Sequence, residues 1–189
     1  MSKNNKQLKS LCVCSVLAAL YVALEWIAAY TGKIFFADSY QLPISCFPLI
    51  VASMSFGIFW GTMTGLVGSF ISQLMLPYPI NISTVLWMIP TVCYSLSVAL
   101  LFLIFKKSQK PVILSAELII SSLVLSFMNV IISYLNNYIL DLSNALLALF
   151  LPVKIISAVI SAIVFAIIVP PIIKKLKLAG VNIQNKPIT

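Results

Sequence analysis

Along one apolar stretch, Ser115, Ser122, Ser126, Asn129, Ser133 and Asn137 recur mostly at steps of three or four. That spacing puts them on one helix face, and each asparagine amide offers both donors and an acceptor. Thr84, Trp87, Thr91 and Tyr94 repeat the pattern in the preceding stretch and add two ring faces for stacking. Lys154, followed by Ser157 and Ser161, brings a positive charge into the last apolar stretch. Trp87, Thr91, Tyr94, Asn129, Ser133, Asn137 and Lys154 are therefore the expected substrate-binding residues. Their chemistry is capture rather than conversion. The chain has no His, which removes the usual proton shuttle and the commonest metal ligand. Cys12, Cys14, Cys46 and Cys93 form no CxxC pair and read as small buried side chains. No GxxxxGK[ST] segment and no nucleophile–base pair is visible, so no enzymatic activity, cofactor or metal is expected.

The elements that must hold these residues are membrane helices. Of 189 residues, 61% are hydrophobic and only 8% charged, where a soluble domain carries about 25% charged residues. A water-soluble globular domain is excluded, and no nucleic-acid partner is expected. At about 20 apolar residues per crossing, the length suits a single membrane domain over 1–189. The expected fold is an all-α bundle of six transmembrane helices, with spans near 9–30, 44–58, 60–76, 84–105, 112–139 and 146–173. Segment 31–43 is too polar to span and reads as an external loop with a strand-like piece at Lys33 to Phe36. Ten of the twelve lysines fall on one side of these spans. The positive-inside rule then makes both termini cytoplasmic. A cleaved leader over 1–30 fits poorly, because the apolar run is long, contains Glu25, and is needed for the lysine pattern.

Lipid offers no hydrophobic drive between helices, so helices associate through close approach at small residues. Span three carries Gly61, Gly65, Gly68, Ser69 and Ser72, which reads as packing within the chain. Span one carries Ser15, Ala19 and Ala23 at steps of four, either internal packing or a landing surface for another subunit. Asn129 and Lys154 both lie about a dozen residues from the 140–145 loop, roughly midway through the bilayer. Glu25 enters span one at a shallower level. A charge inside a span is by default a functional residue. Lys154 either neutralises Glu25 in an ion pair or meets an anionic ligand.

Six short spans, a long first external loop, Ala19-Leu-Tyr-Val-Ala23 and a small-residue third span together resemble the substrate-binding S-component of energy-coupling-factor (ECF) vitamin transporters. Pro43-Ile-Ser-Cys-Phe-Pro48, Phe56-Gly-Ile-Phe-Trp-Gly61 and Gly65-Leu-Val-Gly68-Ser69 are similar to the folate-type subgroup. The resemblance implies a multi-pass protein of the bacterial plasma membrane that captures a water-soluble vitamin or precursor from outside. It also implies docking through the span-one stripe onto a membrane coupling subunit driven by two separate ATPase subunits. Folate-type members carry an Arg after the proline that opens span six, whereas Leu151-Pro152-Val153-Lys154 has Val there and Lys one place on. Without Arg, bidentate capture of a carboxylate is impossible. The other class open to such a chain is a stand-alone small secondary transporter or channel. The lack of an inverted repeat and of several intramembrane carboxylates counts against ion coupling.

Overall fold

A computed structural model describes the backbone of residues 3–36, 43–75, 81–105, 110–140 and 145–178. Within these it describes the side chains of 7–29, 44–75, 81–105, 110, 112–140, 155–156 and 159–175. The elements are α1 (Lys3–Phe36), a 3-10 turn (Pro43–Cys46), α2 (Phe47–Met75), α3 (Ile82–Leu86), α4 (Ile89–Ile104), α5 (Pro111–Ile139) and α6 (Ala145–Leu178). No strand occurs among the described residues. Four stretches among them are long and apolar enough to cross a membrane: Gln7–Ala29, Ile44–Met75, Ile82–Ile104 and Val112–Ile139. Helix is what lipid demands, since every backbone polar group must be satisfied within its own segment.

One expectation about the elements needs correction: the strand-like piece at Lys33 to Phe36 is helical, because α1 continues through it with no proline to stop it. The span expected over 84–105 corresponds to the stretch Ile82–Ile104, which tightens locally at Trp87 and Met88, ahead of Pro90 in the first turn of α4. The two spans expected over 44–58 and 60–76 correspond to two limbs of α2 that meet at Gly57, whose φ of 84° and ψ of −169° break the helix. Only glycine takes such a conformation without strain. A Cβ on Gly61 would lie 2.6 Å from Ser53 Cα, yet eight residues of straight helix would separate them by about 12 Å. The chain therefore doubles back at Gly57.

The first limb, 47–56, rises only about 15 Å, half of the ~30 Å hydrocarbon core. Residues 48–55 are all buried, as a helix apolar on every side must be. Because the reversal sends the chain back the way it came, the limb's short length does not change which side the next helix starts from. Around this centre α1 packs on α2, α2 on α4, α4 on α5 and α5 on α6. Leu49, Ile50, Met54, Tyr94, Val98 and Leu118 form the middle of the core, none more than 1% exposed.

Candidate functional site

The end of the bundle that holds α3 gathers most of the expected binding residues. Asn81 opens α3: its N–H donates to Thr84 Oγ1 at 3.2 Å, and the Thr84 N–H donates to Asn81 O at 3.1 Å. Pro90 has no N–H to give, and the chain tightens just before it. The Trp87 N–H reaches Ser83 O at 3.0 Å and the Met88 N–H reaches Val85 O at 3.2 Å. Trp87 consequently sits half-buried in a locally tightened turn, with helical φ −71° and ψ −10°. One turn further, Thr91 is buried with its hydroxyl 3.4 Å from the Tyr21 hydroxyl of α1. Tyr94 is completely enclosed, with Ser122 of α5 beside it. Its hydroxyl makes no well-formed hydrogen bond among the described residues, with the Ser122 side chain as its polar neighbour.

On α5, Ser133 donates to Asn129 O at 2.7 Å. Its hydroxyl thus bonds its own helix, which membrane serines commonly do. Asn129 and Asn137 are half-buried. Their neighbour Asn136, seven residues from Asn129, is the more telling group. Its Oδ1 is buried and unpartnered among the described residues, as is Ser83 Oγ on α3, and α3 packs against α5. The sequence offered a signal for Asn136 in its helical step from Asn129 and Ser133, but the adjacent Asn137 fits that step nearly as well. A buried polar group left unsatisfied costs about 1–3 kcal/mol. Lipid cannot relieve that cost. Ser83 and Asn136 therefore present unused hydrogen-bonding capacity where α3 packs on α5, whereas Tyr94 lies about 16 Å deeper along the helix.

Charged residues divide three ways. Glu25 is half-buried, with the Ser45 hydroxyl of the 3-10 turn as its hydrogen-bonding neighbour. The expected Glu25–Lys154 ion pair lies outside the described residues, since Lys154 falls in α6 where its side chain is not described. Glu117 lies deeper than the sequence indicated. It is 1% exposed on α5, and both its carboxyl oxygens lack partners among the described residues. No group of three metal-ligating side chains occurs among them.

The two small-residue stripes separate cleanly. Gly61, Gly65, Gly68, Ser69 and Ser72 of α2 are all buried. Added side chains at the glycines would meet Ser53, Ser95 and Tyr21 in turn. Ser15, Ala19 and Ala23 of α1 are exposed, while Cys14, Ala18, Tyr21 and Val22 of the same helix are buried. Ser15 spends its hydroxyl on Leu11 O at 2.9 Å.

The chain belongs to the ECF transporter substrate-specific component family, whose sequence model matches residues 9–173. It is accordingly a substrate-specific transporter subunit and a multi-pass membrane protein, not an enzyme. No curated protein and no solved structure matches it.

Proposed function

We propose that this subunit captures a water-soluble vitamin or precursor from outside the cell and delivers it through a coupling subunit driven by two ATPase subunits. The observation that carries this reading is membership of the substrate-specific component family, joined by the buried, unpartnered oxygens of Ser83 and Asn136 on the packed elements α3 and α5. They belong to the elements on which the sequence pattern puts the ligand. Trp87 supplies a ring face, Thr91, Asn129, Ser133 and Asn137 supply further polar contacts, and Lys154 supplies the positive charge for an anionic group. Lysine is a point charge and does not fix a carboxylate's orientation as Arg does, so selectivity rests on the amides and aromatics. The likeness of Pro43 to Ser69 to the folate-type subgroup makes folate the first compound to assay.

The bundle lays six helical segments in the bacterial plasma membrane, the first limb of α2 as a half-length one, with both termini cytoplasmic, in keeping with the lysine distribution. The reversal at Gly57 preserves that parity. The bare Ser15, Ala19 and Ala23 face receives the coupling subunit, supported by its exposure and by family membership. Mass spectrometry of small molecules retained by the detergent-purified protein, followed by titration of the identified compound, tests the capture role. Lys154→Met is expected to weaken binding about 30-fold, the lower end for a buried charged contact that loses one partner. Wild-type affinity in Lys154→Met would make that lysine structural. A protein that retains nothing and binds no vitamin would overturn the reading itself.

A further inference from the structure

A cleft of about 490 Å³ lies between α5 and α6, lined by Ser115, Ile119, Ile163, Ala166, Ile167 and Pro170. It lies toward the opposite end of α5 from Asn136 and is almost wholly apolar. On α6 its lining advances by threes and fours from Ile163 to Pro170, and the next step of four reaches Lys174. On α5 the lining runs the opposite way, from Ile119 to Ser115, and five residues further back is Lys110, which caps the helix. Both helices thus carry lysine at the same end of the bundle, Lys174 in line with the slot and Lys110 at the α5 N-cap, about 140° round that helix from Ser115. Lys110, Lys174 and Lys175 are exposed there, and no acidic residue occurs in 110–116 or 163–178. An apolar slot that opens toward lipid and finishes in clustered positive charge matches an acyl chain continuous with an anionic headgroup.

We infer that this cleft is a site for an anionic phospholipid, with an acyl chain against Ile119, Ile163 and Ile167 and its phosphate at Lys110, Lys174 and Lys175. A zwitterionic lipid offers the same chain but less net attraction. The occupant is therefore selected by headgroup charge and retained by the slot.

Thermal unfolding of the full chain in a neutral detergent, with added dioleoyl phosphatidylglycerol or dioleoyl phosphatidylcholine, tests the inference. Phosphatidylglycerol is expected to raise the melting temperature by about 5 °C more than phosphatidylcholine, as a ligand well above its dissociation constant does. Lys110→Gln with Lys174→Gln and Lys175→Gln should erase that excess. Removing the same charge by Lys3→Gln, Lys6→Gln and Lys9→Gln should leave it intact. Ala166→Trp, which fills the slot and spares the lysines, should also erase it. If that variant does not fold, native mass spectrometry of wild type should show phosphatidylglycerol adducts outlasting phosphatidylcholine adducts. Equal shifts for the two lipids, or an excess that survives the triple change at the cleft, would overturn the site. Loss of the excess in the N-terminal control would do the same, because bulk charge would then explain it.

Discussion

Two stripes of small residues, four-step Ser15, Ala19 and Ala23 on α1 and Gly61, Gly65 and Gly68 on α2, have opposite fates. The α2 stripe is entirely enclosed by its own first limb, by α4 and by α1, while the α1 stripe faces out. In water such a difference would follow hydrophobicity. In lipid it cannot, because the surroundings are as apolar as the side chains. What differs is the space each stripe leaves. Glycines admit backbone contact, so α2 is built for partners already in the chain. The alanines and serine of α1 leave a shallower, smooth face that is exposed among the described residues. Small residues in a membrane helix therefore mark close approach without saying whether the approaching element belongs to the same chain.

The comparison is broken most forcefully at Gly61, where any side chain collides with the Ser53 backbone. Gly61→Leu should abolish a monodisperse folded species on size-exclusion chromatography in detergent. Overpacking alone costs about 1–3 kcal/mol, and here the obstacle is main chain rather than a movable side chain. Ala19→Leu, the same enlargement on the bare stripe, should leave the elution profile and melting temperature as in wild type. A folded Gly61→Leu protein would mean that the hairpin at Gly57 is looser than described.

A smaller effect is expected at Tyr94, which lies in the core beside the buried stripe. Tyr94→Phe deletes a hydroxyl that makes no well-formed hydrogen bond among the described residues, so the ligand-free protein should melt no lower than wild type. Affinity for the retained compound should fall about tenfold, as for one neutral hydrogen bond of about 1.4 kcal/mol. Unchanged affinity in an isothermal titration would remove Tyr94 from the ligand site. The smallest effect is expected at Glu117, whose buried carboxyl has no partner among the described residues to lose. Glu117→Gln keeps the volume and should leave both ligand affinity and melting temperature close to wild type. A marked loss of transport with binding intact would instead give that acid a role in delivery.

Much of this arrangement was legible in the sequence. Apolar length and lysine placement exposed the helices, and three- and four-residue steps exposed both stripes and the α5 seam. The break between two short apolar runs near Gly57 to Gly61 was legible too, although its place at Gly57 follows only from the φ there and from the approach of Gly61 to Ser53. The tightening at Trp87 and Met88 was hidden, although Pro90 was its signal. At the candidate site, periodicity gave the seam and pointed to Asn137, whereas the buried, unpartnered amide oxygen is on the adjacent Asn136. Glu117 was uncertain for a similar reason. Its depth depends on which face of α5 meets α4, and the polar residues around it fit more than one rotation.

The central claim, that the bare α1 stripe is an interface and the α2 stripe is a core, is tested most directly by the variant Ala19→Trp with Ala23→Trp. The quantity to measure is the amount of coupling and ATPase subunits that copurify with the tagged protein from coexpressing cells, set against ligand binding by the same variant in isolation. The account predicts near-complete loss of both partner subunits with ligand binding close to wild type. Undiminished copurification, or loss of ligand binding in parallel with loss of partners, would contradict it.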